Sequence, residues 1–389
     1  MSLRLAAFLS VLIAATPIAA SAQTTVTGVV NFLMTNQAVP TGDFARDQEA
    51  SRIAADTITR ALVINLASVP IASSSSGFLY RLNPQLGTVE RVTDSFGNFF
   101  IERALTPGHG RATFGISASS SSFERLDGQA LRDGTLLTIA NRFRDEPEPF
   151  DTESLTLRVT SSAMTLYGSV GVTDRFEIGG VVPFVRLSLE GQRVNVYRGE
   201  SLLQASGSAT ASGIADIAVR AKYTVVSGRQ GGAAIAAELR LPTGNADNLL
   251  GAGTRAFRIL AIGAAEHGAV TLSGNAAFVQ GGVSDELNFG GAAAIAVHHR
   301  LSITGEVLAR HLSELRPIQL SSQPHPNFAG VETVRLIGGD PGRMVAGAVA
   351  GIKWNPGSTV VIGAHLRWSL TNTGLTAPIT PSVALEYGF

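Results

Sequence analysis

Apolar and polar side chains alternate along much of the chain, as they do in strands that are apolar on one face only. In STVVIGAHLRWSL, one face carries Val360, Ile362, Ala364, Leu366, Trp368 and Leu370, and the other carries Gly363, His365, Arg367 and Ser369. The same period of two residues recurs in IADIAVRAKYTVV, AAIAAELRL, LSITGEVLAR and ESLTLRVT. Each of these segments is therefore predicted to be a β-strand.

The breaks between the alternating segments predict twelve strands, near 111–123, 151–171, 174–190, 211–226, 231–241, 253–265, 269–280, 285–297, 300–311, 342–354, 358–370 and 380–389. Short connections at 172–175, 227–230, 266–268, 298–300 and 355–357 alternate with longer ones at 124–150, 191–210, 242–252, 281–284, 312–341 and 371–379. Soluble sandwiches also have half-buried strands, but this alternation of turn lengths is typical of outer-membrane barrels. The predicted fold is all-β: an antiparallel transmembrane β-barrel of about 12 strands, with 14 as the alternative.

At Pro183 the apolar face of a predicted strand slips by one residue. Phe176, Ile178 and Val182 precede the slip, and Val185, Leu187 and Leu189 follow it. A β-bulge inserts one extra residue into a strand and would produce such a slip. The pattern therefore predicts a bulge at Pro183.

Composition favours a membrane protein that spans with strands. Charged residues are 15% of the chain, against about 25% in ordinary soluble domains, and the mean hydropathy is +0.22. Beyond the N-terminus no apolar run reaches the length of about 18 residues that a spanning helix needs. Lys and Arg total 30, as do Asp and Glu, so no nucleic-acid partner is predicted.

Residues 1–22 have the pattern of a secretory signal peptide. Arg4 precedes an apolar stretch from Leu5 to Ala15, and Ala20-Ser21-Ala22 forms a cleavage site before Gln23. We therefore expect export to the outer membrane of a Gram-negative bacterium, after cleavage near Ala22-Gln23. The chain has 0 cysteines, which excludes disulfides and thiolate metal ligands.

Residues 23–110 lack the alternating pattern of the barrel region, 111–389. The stretch GDFARDQEASRIAADTITRAL predicts a helix that begins near Thr41 or Asp43, and short strand-like pieces broken by Ser, Gly and Pro follow it. Three interpretations stay open: a periplasmic appendage, two extra barrel strands, or a hatch folded into the lumen as a plug.

The last strand, PSVALEYGF, places Val383, Leu385, Tyr387 and Phe389 on one apolar face, which we expect to contact outer-membrane lipid. A terminal aromatic residue of this kind resembles the C-terminal signature of outer-membrane proteins. The resemblance implies that Tyr387 and Phe389 act as an assembly signal for the barrel-assembly machinery.

Two adjoining stretches, SGIADIAVRAKYTVV and AELRLPTGNADNLLGAG, resemble the outer-membrane barrel family named after the MetA pathway of phenol degradation. The matching positions are Gly213, Asp216, Ala221, Lys222, Tyr223, Leu241, Pro242, Thr243, Gly244, Leu249, Leu250, Gly251 and Gly253. YGSVGVTDRFEIGGVVPF is similar to the preceding strand pair, so the resemblance covers about 165–255. It implies a barrel linked to uptake of hydrophobic or aromatic compounds. Residues 73–105 also resemble the N-terminal part of related outer-membrane transporters.

Two groups of residues are candidates for contact with a solute. The charged residues predicted to line the lumen are Arg158, Asp216, Arg220, Lys222, Glu238, Arg240, Arg258, Glu306, Arg310 and Arg367. The loop after Leu241 offers Pro242, Thr243, Gly244 and Asn248 as entrance candidates, with a plain turn as the alternative.

The sequence predicts a transporter and no enzyme, because G-x-S-x-G, GxxxxGK[ST] and HExxH are absent. His298-His299 falls in a predicted turn, so neither a metal site nor a cofactor is predicted. The predicted function is passive uptake of a small solute, hydrophobic or aromatic in character. The alternatives are a general or weakly anion-preferring porin and a closed structural barrel that presents an outer contact surface.

Overall fold

Twelve antiparallel strands close a barrel. The computed structural model describes residues 25–35, 41–66, 73, 80–83, 88–91, 95–228, 231–357 and 359–389, so the predicted signal peptide lies outside the described residues. The barrel strands are β1 (Ala112–Phe123), β2 (Asp151–Gly171), β3 (Phe176–Tyr197), β4 (Ile217–Gly228), β5 (Gly231–Leu241), β6 (Ala256–His267), β7 (Val270–Gly281), β8 (Glu286–His298), β9 (Leu301–Leu312), β10 (Arg343–Gly357), β11 (Val360–Ser369) and β12 (Thr380–Gly388). The predicted barrel is confirmed, with twelve strands rather than fourteen.

Each strand pairs with the next, and β12 pairs with β1 to close the sheet. The closing pair joins Ser382 to Ser119 and Gly388 to Thr113 in register. Phe389 continues this pairing, because its N–H donates to the Ala112 carbonyl at 2.9 Å and its carbonyl accepts from the Ala112 N–H at 2.8 Å. The barrel thus has no free edge along this seam.

The outer surface is apolar because alternate residues of each strand point outward. Ile235, Ile259, Leu272, Ile303 and Ile352 are exposed there, whereas their neighbours in sequence point into the barrel. This outer face gives the barrel the apolar band that contact with lipid requires. Tyr387 and Phe389 lie on the same face, and Phe389 is 65% exposed.

One end of the barrel carries the short turns, at 172–175 for example, and the other end carries the long connections; we call them the short-turn end and the long-loop end. Strands β2 and β3 have 21 and 22 residues, whereas about 9–11 cross a membrane. Their outer halves pair with Leu136–Phe143 and Glu200–Ile214, and the sheet continues through Val331–Gly338 and Ile318–Pro324. These strands lie in segments for which the sequence predicts loops, because their polar outer faces resemble loop composition.

Smaller elements complete the described chain. Arg125–Leu126, Gln129–Ala130 and Leu375–Thr376 form a small sheet, Tyr80–Asn83 pairs with Thr88–Arg91, and Ala246–Asn248 is one turn of 3-10 helix.

The predicted bulge at Pro183 is wrong. Strands β2 and β3 pair without a register shift from Asp151–Tyr197 to Gly171–Glu177. Beyond Pro183 the apolar residues of both strands point inward and are buried: Leu155, Leu157, Val159, Val185, Leu187 and Leu189. The slip therefore marks the level at which the strands' apolar residues change from the outer face to the interior.

Two helices fill the interior at the long-loop end: α1 (Val26–Met34) and α2 (Phe44–Leu66). The predicted helix is α2, and Asp43 precedes it with a carboxylate that accepts from the Arg46 N–H at 3.1 Å. Helix α1 lies in a stretch with no predicted helix, since TTVTGVVNFLM is rich in β-branched residues. Helix α1 packs on β3 and on Glu200–Ile214, and α2 packs on α1 and on Val331–Gly338. Both helices share one apolar cluster with the inward residues of β2 and β3. No helix in the described residues combines the length and the apolar character needed to cross a membrane.

Candidate functional site: the lumen and its plug

Residues 95–106, which we call the plug, lie inside the barrel near the short-turn end. Glu306 of β9 holds the centre of this segment, because its carboxylate accepts hydrogen bonds from three consecutive backbone N–H groups. The Phe100 and Ile101 N–H groups each bond Oε2 at 3.0 Å, and the Phe99 N–H bonds Oε1. Glu306 is 3% exposed. A wall side chain thus binds the plug by its backbone.

The plug also places an acid among the cations of the wall. Glu102 contacts the Arg220 guanidinium directly and lies 3.8 Å from the Lys222 ammonium. Lys222 pairs with Glu177 at 3.0 Å, and Arg220 pairs with Glu238 at 2.6 Å. All five side chains are buried. Removing one partner of such a network leaves an uncompensated buried charge, so the plug completes the electrostatics of this part of the wall.

Further contacts surround the plug on other strands. The Ser95 and Thr271 hydroxyls are 2.7 Å apart, and the Phe96 N–H donates to the Ser302 hydroxyl at 3.0 Å. On the neighbouring strand β10, the Lys353 ammonium donates to the Asn98 carbonyl at 3.2 Å. Together with the contact between Glu102 and Arg220 of β4, these bonds attach the plug to strands on both sides of the barrel.

Glycines on the inner face give the plug its room. A Cβ at Gly290 would lie 2.3 Å from Ile101 Cδ1, and a Cβ at Gly351 would lie 2.6 Å from the Phe99 ring. Phe99 in turn stacks on His365, with ring centroids 4.2 Å apart. Larger residues at these wall positions would push the plug out of its place.

A second level of contacts holds α1 at the long-loop end. Arg193 of β3 donates to the Leu33 carbonyl at 2.7 Å and to the Thr35 carbonyl at 2.5 Å. Its guanidinium also pairs with Glu153 of β2 at 2.5 Å, and both charged side chains are buried. Because the last carbonyls of a helix lack partners within the helix, this arginine satisfies the end of α1.

Asp216 fastens the loop between β5 and β6. Its carboxylate accepts from the Gly244 N–H at 3.0 Å and from the Ala252 N–H at 2.8 Å. The Thr243 hydroxyl donates to the Ala215 carbonyl at 2.7 Å. A Cβ at Gly251 would lie 2.3 Å from the Asp216 carboxylate, so glycine is required there.

The fastened loop packs on α1. Leu249 and Leu250 are buried in the same apolar cluster as α1, and the Asn248 amide oxygen accepts from the Val26 N–H at 3.2 Å. Pro242 and Thr243 are exposed, and Gly244 is half-buried. Asn248 thus supports the start of α1, and the matched Asp, Thr and Gly positions have a structural role.

A cavity of about 270 Å³ lies between the plug and the end of α2. Phe100 and Ile101 of the plug border it on one side, and Ile64 and Asn65 of α2 border it on the other. The charged residues on its wall are Glu238, Arg240, Arg258, Glu286, Arg310 and Arg367. The interior of the barrel therefore contains an arginine-rich space between two parts of the N-terminal segment.

The structure places the predicted lumen residues in four groups. The network around the plug contains Arg220, Lys222, Glu238 and Glu306. The cavity is lined by Arg240, Arg258, Arg310 and Arg367, and also by Glu238. Asp216 fastens a loop, and Arg158 lies on the outer face. Placing Arg158 in the lumen was wrong: its side chain is 68% exposed and lies 3.6 Å from Glu190. The reason is the change of apolar side beyond Pro183.

Sequence reasoning missed several buried charges: Glu102, Glu153, Glu177, Arg193, Lys353 and Glu386. Lys353 pairs with Glu386 at 3.3 Å. Both fall on the polar faces of predicted strands, so the alternating pattern that found Arg367 also contained them. Glu102 carries no comparable signal, because its cationic partners, Arg220 and Lys222, lie more than a hundred residues away in sequence.

No protein-family model matches the chain, and no curated protein matches it. Among solved structures, an outer membrane channel from Pseudomonas putida F1 is similar, with 12% identity, a TM-score of 0.45, and coverage of 72% of this chain and 96% of that one. The NanC porin has 5% identity, a TM-score of 0.37, and coverage of 71% and 98%. A Pseudomonas aeruginosa FadL homologue has 9% identity, a TM-score of 0.32, and coverage of 82% and 97%. The closed barrel and its apolar outer face are those of the outer-membrane β-barrel fold.

Proposed function

We propose that this protein is an outer-membrane channel that passes small molecules passively and is closed at rest by its own N-terminal segment. The observation that carries the proposal is the binding of the plug backbone by Glu306, at the level where the lumen would otherwise open toward the short-turn end. In outer-membrane barrels the short turns face the periplasm. The plug then closes the periplasmic half, and α1 and α2 close the external half.

Many of the contacts that attach the plug are hydrogen bonds and ion pairs, which favours a closure that can be released. Hydrogen bonds and ion pairs with the wall can be exchanged for bonds to water once water enters the lumen. Release would expose wall cations, notably Arg220 and Lys222, which pair with Glu102 of the plug. The proposal needs no cofactor, no energy source beyond a concentration gradient, and no catalytic residue.

The location and the solute are part of the same proposal. The signal-peptide pattern of residues 1–22 and the apolar outer face favour the outer membrane, with its lipid as the surroundings. Tyr387 and Phe389 are proposed to be read by the barrel-assembly machinery. The resemblance to the family named after the MetA pathway of phenol degradation favours hydrophobic or aromatic solutes.

A disulfide that locks the plug tests this function. The Ser95 and Thr271 hydroxyls are 2.7 Å apart, and the chain has 0 cysteines, so Ser95→Cys with Thr271→Cys introduces one pair. In planar bilayers we expect the oxidised protein to be silent and the reduced protein to show openings. Removal of residues 24–110 should give steady conductance.

A matched control uses another close pair of hydroxyls. Ser188 and Thr210, with hydroxyls 3.1 Å apart, lie on exposed positions of the outer sheet. Ser188→Cys with Thr210→Cys should leave conductance unchanged in both redox states. Equal conductance of the locked and reduced plug variants would refute closure by the plug.

A closed structural barrel is the second candidate, and the dense apolar packing of α1 and α2 favours it. It predicts silence of both the intact and the shortened chain in bilayers, although each keeps the heat-modifiable migration of a folded barrel. Such a result would replace the channel proposal.

A further inference from the structure

The cavity between the plug and α2 is the arginine chamber, defined by Arg240, Arg258, Arg310 and Arg367. These residues come from four different strands, β5, β6, β9 and β11, and all point into the barrel. Four guanidinium groups around a space of about 270 Å³ are costly to hold together unless anions offset them. The acids that line the chamber therefore decide how much of this positive charge is neutralised.

Among the residues that the structure describes, two carboxylates line the chamber, and both are already engaged. Glu286 pairs with Arg310 at 3.0 Å. Glu238 pairs with Arg220, outside the chamber, at 2.6 Å and lies 3.9 Å from Arg258. The two acids therefore leave the four arginines with an excess of positive charge.

Arg240 and Arg367 supply that excess. Within the described residues, neither side chain makes an ion pair or a hydrogen bond. Arg258 Nε and Asn288 Oδ1 are buried at the chamber wall, and neither atom has a hydrogen-bond partner in the described part of the chain. The arginines thus present donors to the space from several directions, and Asn288 Oδ1 presents an acceptor. Guanidinium groups bind carboxylates in bidentate fashion, with a planar geometry that an ammonium does not provide.

The ends of the chamber are apolar. Phe100 and Ile101 of the plug face it from one side, Ile64 of α2 from the other, and Val279 and Leu308 contribute from the wall. The volume lies just below the range of about 300–1,000 Å³ that is usual for drug-sized ligands. The space therefore suits a small molecule with an anionic head and a compact apolar body.

We propose that the arginine chamber binds small aromatic or branched aliphatic carboxylates and is the selective site of the channel. The carboxylate contacts Arg240 and Arg367, and the apolar body contacts Phe100 and Ile64. The chamber lies between the two closures, so a solute held there contacts the plug directly. This inference rests on the proposed function for its role in transport, whereas the binding site itself does not depend on transport.

Equilibrium binding to the full-length mature protein in detergent tests the site. The probe is 4-fluorobenzoate, followed by ¹⁹F NMR. We expect saturable binding that weakens about tenfold in Arg367→Gln and again in Arg240→Gln, because each loses a charge-assisted hydrogen bond. Arg367→Lys, which keeps the charge, should bind between wild type and Arg367→Gln. Heat-modifiable migration checks that each variant is folded.

Arg158→Gln is the matched control, since Arg158 is an arginine on the outer face with one exposed acidic partner. It should bind 4-fluorobenzoate as wild type does. A comparable loss in this variant would show that binding is a general charge effect and would overturn the proposal.

Two further probes separate the chemistry of the ligand. 4-Fluorobenzyl alcohol has a similar shape without the charge, and inorganic phosphate has charge without an apolar body. Equal binding of the alcohol would overturn the role of the arginines, and equal competition by phosphate would reduce the site to a general anion site. No binding of the carboxylate would also overturn the proposal.

Transport is measured separately by uptake of radiolabelled benzoate into proteoliposomes. Binding without uptake would refute the channel function and leave the site standing. The site would be refuted, and the channel function left standing, by two results together: no saturable binding of the carboxylate, and unchanged uptake in the double variant Arg240→Gln with Arg367→Gln.

Discussion

Substitution of Glu306 by Gln should release the plug. The carboxylate accepts three N–H groups, two of them at 3.0 Å on Oε2, whereas a glutamine amide has one oxygen and places an NH₂ group against a donor. Hydrogen bonds to a charged group contribute about 1.5–3 kcal/mol each. Losing one such bond and weakening the others should cost the closed state about 2–4 kcal/mol, which lowers the closed-to-open ratio about 30- to 900-fold.

Two measurements follow the release. Planar-bilayer recordings give the open probability, and hydrogen exchange gives the protection of the Phe99, Phe100 and Ile101 amides. We expect both to change together in Glu306→Gln, while heat-modifiable migration stays that of a folded barrel. Glu190→Gln is the control, because Glu190 is an exposed acid on the outer face, beside Arg158. Unchanged open probability together with unchanged amide exchange in Glu306→Gln would refute the reasoning.

Three further predictions concern other parts of the molecule. Gly251→Ala should destabilise the barrel by about 1–3 kcal/mol, seen as a lower temperature of heat-modifiable unfolding, because the new Cβ meets the Asp216 carboxylate. Arg193→Met leaves Glu153 buried without its cation, so the external closure should loosen by about 3–5 kcal/mol, with faster amide exchange in α1. Burial lowers the pKa of His325, so the fold at this histidine is most stable above about pH 6.5 and loses stability as the pH falls toward the lowered pKa. The Phe328 N–H donates to Nδ1, so its exchange, corrected for the intrinsic rate, should rise in acid.

Each of these predictions has a control. Gly263→Ala adds a methyl where nothing lies within 4 Å and should leave unfolding unchanged. Arg158→Met removes an exposed arginine and should leave α1 protected. The Phe176 N–H donates to the Thr173 hydroxyl, which does not titrate, and its exchange after correction for the intrinsic rate should not follow pH. Equal effects in variant and control would contradict the corresponding prediction, as would an acid-insensitive Phe328 amide.

Local alternation was enough to predict the barrel strands, because within each strand the apolar residues that face lipid alternate with residues that face the interior. The predicted segment 231–241 coincides with β5, and most other bounds differ by a few residues. The same argument failed for Arg158, since it assumes that the apolar face always points outward. Beyond Pro183 the interior holds two helices, so Leu157 and Val159 turn inward and Arg158 turns out. The alternation shows correctly which residues share a face, but at this level the apolar face packs on the interior and does not face lipid.

The contents of the lumen could not be predicted in this way. Glu102 pairs with Arg220, more than a hundred residues along the chain, and no spacing in the sequence relates the two. The inward charges Arg240, Arg258, Arg310 and Arg367 were found by alternation. Their gathering around one space depends on the strand register, which sets Glu238 opposite Arg258 on the neighbouring strand.

The path of the chain imposes an order on assembly. Helices α1 and α2 fill the long-loop end, the plug fills the other half, and the chain then leaves by the short-turn end to begin β1. The described parts of the N-terminal segment therefore lie inside the barrel, and the barrel is closed only when β12 pairs with β1. A helix cannot be drawn through a finished wall of hydrogen-bonded strands. We therefore expect the N-terminal segment to be placed inside while the β1–β12 seam is still open, so that pairing of β12 with β1 completes the barrel around it.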